Sequence, residues 1–223
     1  MDQPGVDPDL HHGALRGLAR INRFSGTVGA VWRPLAQLSR RYPGRTLRVL
    51  DVASGGGDVA IGLAKRAARL GLPLQVCGCD ISQTAVEYAS GQARRAGVEV
   101  EFFTADVLGQ PLPEGFDAIC SSLFLHHLDR EDAVRLLEGM RAATSRMIVV
   151  SDLLRTRLGY GLAWTGCRLL TRNPLCRVDG PLSVEGAFSL PEVVDLAAQC
   201  QLQDATIRKQ WPERFLMTWE TFP

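Results

Sequence analysis

A chain of 223 residues with 46% hydrophobic and 22% charged side chains has the composition of a folded globular protein with a substantial core. Its net charge of +1, from 25 basic and 24 acidic residues, offers no electrostatic case for a nucleic-acid partner. The start MDQPGVDPDLHHG is unlike a signal peptide, no apolar run is long enough to span a bilayer, and the six cysteines form no CxxC pair, so buried thiols in a cytoplasmic protein without a membrane partner or metal are expected.

Residues 1–45 are read as a helical cover. A first helix carries Leu10, Ala14, Leu18 and Ile21 at helical spacing, Ser25-Gly26 breaks it, and a second carries Val28, Val31, Trp32, Leu35 and Leu38. Residues 46–152 then alternate short apolar strands with amphipathic helices. Strands are expected at Thr46–Val52, Leu74–Cys79, Val98–Phe103, Phe116–Ser121 and Arg146–Ser151. Between them fall a helix from Asp58 to Leu70, one capped by Ser82, and one from Asp129 to Ala143. Repeated β–α units of this kind predict an α/β, doubly wound parallel sheet. The alternation fails after Asp152. Residues 153–189, which contain Asn173-Pro174 and Asp179-Gly180-Pro181, are read as a helix, a turn and a partly irregular lid. Residues 190–223 supply a last helix from Pro191 and an antiparallel hairpin at the sheet edge, turning at Trp211-Pro212-Glu213. The whole chain reads as one domain.

The chain is organised around Leu47–Ala68, LRVLDVASGGGDVAIGLAKRAA, a strand that passes through Gly55-Gly56-Gly57 into a helix. Glycines there let backbone approach a ligand, and the helix N-terminus beyond offers N–H groups. Acidic residues stand where ligands bind such sheets, at or just after strand ends: Asp51, Asp80, Asp106 and Asp152. Asp80 lies 23 residues beyond Gly57, suited to the hydroxyls of a ribose. Several carboxylates round one crevice favour a cationic ligand over a diphosphate. The loop also satisfies G-x-G-x-x-A, which keeps a nicotinamide-dependent oxidoreductase open, whereas a P-loop fails for want of Gly-Lys-Ser/Thr. His126 and His127 follow the fourth strand, and one of them, with His126 favoured, is the candidate general base. Asp152 and Arg155 at the lid's start are candidates to bind a small-molecule substrate. Phe24, Trp32, Trp164 and Leu169 are candidate apolar walls, and near-neutral charge suits a small apolar acceptor.

From Thr46 onward the chain resembles the class I S-adenosylmethionine-dependent methyltransferases of small-molecule type. The resemblance rests on Val49-Leu50-Asp51-Val52-Ala53-Ser54-Gly55-Gly56-Gly57, on Asp80 in CGCDIS, on Asp106 in FTADVL, and on Phe116-Asp117-Ala118-Ile119-Cys120-Ser121 leading to His126-His127. It implies a Rossmann-like, seven-stranded mixed sheet of order 3-2-1-4-5-7-6 and S-adenosyl-L-methionine as cofactor. In that setting Asp51 orients the glycine loop and the cofactor's amino end, and Gly55 and Gly57 let the methionine moiety lie on backbone. Asp80 takes the ribose, Ile81 packs on adenine, Asp106 and the Val107 N–H meet the adenine edge, and Ser121 sits by the methionine end. Ala53 replaces the first motif glycine, and its methyl fits if φ stays negative. The lid resembles enzymes of polyketide and quinone-type secondary metabolism, which implies O-methylation of a hydroxylated aromatic. C- or N-methylation and a non-catalytic member of the fold stay open.

Overall fold

The computed structural model describes residues 26–170 and 174–221. The first expected helix, His11-His12 and Phe24 lie outside them. In chain order the elements are α1 (Thr27–Arg41), β1 (Leu47–Val52), α2 (Asp58–Leu70), β2 (Leu74–Asp80), α3 (Gln83–Ala96), β3 (Glu101–Thr104) and β4 (Phe116–Ser122). There follow a 3-10 turn (Leu125–His127), α4 (Arg130–Ala143), β5 (Thr144–Leu153), α5 (Arg157–Leu170), α6 (Pro174–Gly186), α7 (Leu190–Gln199), β6 (Thr206–Gln210) and β7 (Arg214–Glu220).

The seven strands form one sheet of order β3-β2-β1-β4-β5-β7-β6, as expected. The first five are parallel, and β7 runs antiparallel to both β5 and β6. Central strands are apolar throughout because both faces are covered. On one face Leu136, Leu137 and Met140 of α4 and Val193 and Leu196 of α7 pack on Leu50, Ile119 and Val150. On the other, Val31, Leu35 and Leu38 of α1 and Val59 and Leu63 of α2 pack on Val49, Cys120 and Val149. Each fully buried leucine or valine here contributes about 1.5–3 kcal/mol through apolar surface removed from water.

Local chemistry sets the ends of the helices. Ser82 Oγ accepts the Ala85 N–H at 3.3 Å, and Asp129 Oδ1 accepts the Asp132 N–H at 2.9 Å, so both expected caps form. At the foot of the sheet Asp117 is buried and accepts from Arg45, Arg146 and the Arg48 N–H at 2.9–3.0 Å. That acid ties strands together at the end away from the ligand side.

Two expectations change. Asp179-Gly180-Pro181 is no turn but lies within α6. α5 and α6 pack together so closely that a Cβ on Gly180 would collide with Cys167 Sγ, and this packing overrides the local turn signal. The lid is therefore two helices, not one helix with irregular chain. β5 is longer than expected because β7 pairs with it from Met147 to Leu153.

Candidate active site

The C-terminal ends of the parallel strands open into a cavity of about 600 Å³. The β1–α2 loop, the ends of β2 and β4, the lid helices and the β6–β7 turn all contribute walls. Ala53, Gly55, Asp80 and Ile81 line it on the glycine-loop side, with Asp106 and Val107 beyond. His126 and His127 line the side nearer the lid.

The glycine loop is shaped by left-handed backbone. Gly55 and Gly57 have φ of 52° and 75°. At Gly57 a Cβ would also lie 2.6 Å from Phe102 Cζ and 2.8 Å from Ala89 Cβ, so only glycine fits. Gly57 is the N-cap of α2 and offers no side chain to its N–H groups. Ala53 has φ of 52°, which overturns the expected negative value. The turn between β1 and the helix needs left-handed backbone there whichever residue occupies it. Such a conformation costs an L-residue about 1–2 kcal/mol. Ala53→Gly is thus expected to stabilise the chain by about 1 kcal/mol, read as a melting temperature roughly 2–4 °C higher. An unchanged or lower midpoint would mean the loop is not strained.

Beneath the loop lies Asp51, buried and outside the cavity wall, with Cys120 as its cross-strand neighbour. Cys120 Sγ donates to Asp51 Oδ1 at 3.6 Å, while Oδ2 is buried without a hydrogen-bond partner. Burial, with the charge of Asp58 next, pushes the Asp51 carboxyl up from 3.8 to about 7. Burial and the same carboxylate push the Cys120 thiol well above its ordinary value, so it stays an S–H donor. Asp80 closes the loop from the β2 side: Oδ2 accepts the Gly55 N–H at 2.8 Å and Oδ1 the Ser82 N–H at 2.9 Å. Asp106 Oδ1 accepts the N–H groups of Leu108 and Gly109 at 3.1 and 2.9 Å, which leaves its backbone neighbours at the cavity edge.

At the other end stands a histidine–carboxylate pair. His126 Nδ1 lies 2.6 Å from Asp152 Oδ1, and both side chains are buried. With a carboxylate as partner Nδ1 carries the proton, leaving Nε2 as the basic nitrogen. Asp152 Oδ2 accepts the Phe124 and Leu125 N–H groups at 2.8 and 2.7 Å, and Oδ1 that of Leu153 at 2.6 Å. Burial alone would raise this carboxyl. The charge and hydrogen bond of His126, with the Leu153 and Leu125 N–H groups, outweigh it and hold Asp152 below its ordinary value. Leu123, at φ 56°, bends the chain sharply before this turn. His127 is exposed, its ring centroid 4.1 Å from that of His126.

Not every expected site residue reaches the cavity. Gly57, Ser121 and Asp152 are buried behind its wall, and Ser122 rather than Ser121 lines it. Asp152 is not positioned to touch a substrate, because its carboxylate is filled by His126 and three backbone donors. Arg155 is not at the cavity either: it pairs with Glu192 at the start of α7, 2.6 Å away. Trp32 is core, and Trp164 and Leu169 are 46% and 80% exposed outside the cavity. Missed by sequence were Trp211 and the buried Arg214, which close the cavity from the β6–β7 turn. Their signal was faint: a cation heading the apolar run Arg214-Phe215-Leu216-Met217.

This sheet order, with a glycine loop after β1 and an acid at the end of β2, defines a class I methyltransferase fold. A family model described as a methyltransferase domain matches residues 49–146. A demethylmenaquinone methyltransferase of Thermus thermophilus is 33% identical over 152 residues, covering 66% of each chain. An uncharacterised methyltransferase of Mycobacterium tuberculosis is 30% identical over 194 residues, 82% of this chain and 92% of that one. Among solved structures, an O-methyltransferase family 2 protein from Planctomyces limnophilus in complex with apigenin superposes with a TM-score of 0.70 at 19% identity, over 100% of this chain and 64% of that one. The chain thus spans just under two thirds of the first relative and of the Planctomyces protein. It belongs to the S-adenosylmethionine-dependent methyltransferase family.

Proposed function

We propose that the protein transfers a methyl group from S-adenosylmethionine to a hydroxyl oxygen of a small aromatic, quinone-like or polyketide-like metabolite. The observation that carries this reading is His126 on the cavity wall, a base held in one tautomer by the buried Asp152 carboxylate behind it. The relatives support the substrate class: one is a demethylmenaquinone methyltransferase, and one structural relative is an O-methyltransferase in complex with apigenin. No described helix is long and apolar enough to cross a membrane. Under this reading the enzyme works in a reducing cytoplasm, which the buried thiols of Cys77, Cys79, Cys120 and Cys200 support.

The residues present fit the donor. Asp51 Oδ2 is an orphaned buried acceptor beneath a glycine loop, suited to a cationic amino group. Asp80 would turn its carboxylate to the ribose hydroxyls, and Ile81, 64% exposed at the cavity, would cover the adenine. Asp106 and the Val107 backbone would meet the adenine edge, with Gly55 against the methionine moiety. When bound, the donor supplies a methyl group activated by its sulfonium. The chain's own work is to hold the acceptor hydroxyl in line and accept its proton at His126 Nε2, while Asp152 keeps the resulting imidazolium oriented. A phenol ionises near ~10 in water, so such a base matters most at neutral pH. The lid helices line the cavity over the strand ends, and Gly186, at the end of α6, would bring a Cβ to 3.0 Å from the His126 carbonyl.

The test is product mass after incubation with S-adenosylmethionine and matched phenols, quinols, amines and aliphatic acids, followed by assignment of the methylated atom. A methyl ether on hydroxylated aromatics alone is expected. Methyl on ring carbon or nitrogen instead would overturn O-methylation while leaving the family intact.

A further inference from the structure

Arg214 heads β7, in register with Leu153, one residue from the carboxylate that holds His126. Its side chain is buried and lines the cavity. Nη1 donates to Thr27 Oγ1 at the start of α1, and Nε is buried with no hydrogen-bond partner. No carboxylate among the described residues forms an ion pair with it. Burial lowers its pKa to about 10, partly offset by the charges of Asp152 and Asp58, so the guanidinium stays charged at neutral pH. A buried cation with an idle donor on a cavity wall is costly unless an anion arrives to meet it.

Asp152 does not serve that purpose, since His126 and three backbone N–H groups already fill its oxygens. Arg155, expected from the sequence to bind the substrate, is engaged by Glu192 outside the cavity. The planar fork of an arginine suits a carboxylate or another delocalised oxyanion.

We propose that Arg214 is the anion-binding residue of the cavity and that it selects a methyl acceptor bearing a carboxylate-type group beside the hydroxyl. This rests on the proposed function and narrows its substrate class to acidic hydroxyaromatics. The donor's own amino-acid carboxylate carries the same chemistry. Position favours the acceptor: β7 lies two strands beyond β4 and three beyond β1, whose loop receives the donor.

The test is binding rather than turnover, so it stands apart from the fate of O-methylation. 1-Hydroxy-2-naphthoate and 1-naphthol share a ring system and differ by one carboxylate. Their affinities, with that of S-adenosylhomocysteine, are measured for the full chain by calorimetry. The wild type is expected to bind the acid at least 10-fold more tightly than the naphthol. Arg214→Met should abolish that preference, Arg214→Lys should restore part of it, and S-adenosylhomocysteine should bind all three equally. Thr27→Val removes the α1 contact but keeps the guanidinium, and should retain the preference. If Arg214→Met instead weakens S-adenosylhomocysteine alone, the anion site stands but its ligand is the donor. An acid preference absent in the wild type, together with unchanged donor-analogue affinity in Arg214→Met, overturns the proposal. So does a Thr27→Val variant that loses the preference as fully as Arg214→Met, because the arginine would then act only as a tie to α1.

Discussion

Replacing His126 by alanine is expected to lower turnover about 10²–10⁴-fold, the usual contribution of a positioned general base, with donor-analogue affinity within twofold. Asp152→Asn should be nearly as damaging although it touches no substrate. An asparagine oxygen can still accept the Phe124 and Leu125 N–H groups that Asp152 Oδ2 accepts now. Its amide then faces His126 Nδ1 as a donor. The ring must present Nδ1 as acceptor, carry its proton on Nε2, and lose its basic atom at the cavity. The Leu153 N–H, which now donates to Oδ1, loses its acceptor, so the melting temperature of the variant is measured alongside its rate. The pH profile separates this role from a structural one. Against a phenolic acceptor, both variants should recover toward wild-type rate as pH approaches the acceptor's own pKa, where no base is needed. A deficit that is constant with pH would show that His126 merely shapes the wall. Asp152 also links to stability. Its folded-state carboxyl sits below its ordinary 3.8, so its contribution is complete above that value and is lost as pH falls through the folded pKa.

Much of this arrangement was legible because it is local. Asp51 and Asp80 end short apolar strands, and a helix signal soon after each fixes where those strands stop. Ser82 and Asp129 read as caps because each precedes a run of helical spacing, and both do cap. What escaped depends on pairing across distance. Asp152 and His126 are 26 residues apart and meet only because β4 and β5 are neighbours, so the acid read as a substrate contact instead of the histidine's partner. Arg214 reaches the cavity only because β7 runs antiparallel to β5, delivering its first residue to the ligand side. Ser121 and Ser122 differ by one position on a strand, and one position decides which side chain lines the cavity. The lid misled for another reason. Gly180 and Pro181 signal a turn locally, but the contact with Cys167 on α5 requires a small residue inside a helix. Ala53 shows the same priority of fold over local preference, since its φ is imposed by the loop.

The second large effect belongs to Asp51, where ligand binding and stability oppose each other. Its carboxyl titrates near 7 in the folded chain against an ordinary value of 3.8. The folded state therefore holds the proton more tightly than the unfolded state. Ligand-free stability from this group is greatest at low pH, falls as pH rises from 3.8 to 7, and is level above that. The gap corresponds to on the order of 4 kcal/mol. Asp51→Asn removes the penalty and leaves an oxygen for the Cys120 thiol. The ligand-free variant is expected to melt roughly 5 °C or more above wild type at pH 8, with the difference shrinking toward pH 5. The same substitution should weaken S-adenosylhomocysteine at least 10-fold, because a neutral amide beneath the glycine loop no longer attracts the ligand's ammonium with its charge. Calorimetry gives an independent reading. Because burial raises the ligand-free carboxyl to about 7, binding a cationic amino group near neutral pH should release protons. Heats measured in buffers of different ionisation enthalpy reveal that release, and Asp51→Asn should abolish it. A wild-type protein that binds without releasing a proton, and whose stability is level between pH 5 and 8, would mean that Asp51 is already ionised and partnered. A raised carboxyl beneath the glycine loop is a counter-charge idle without its ligand, so the same burial that costs the ligand-free chain stability serves binding.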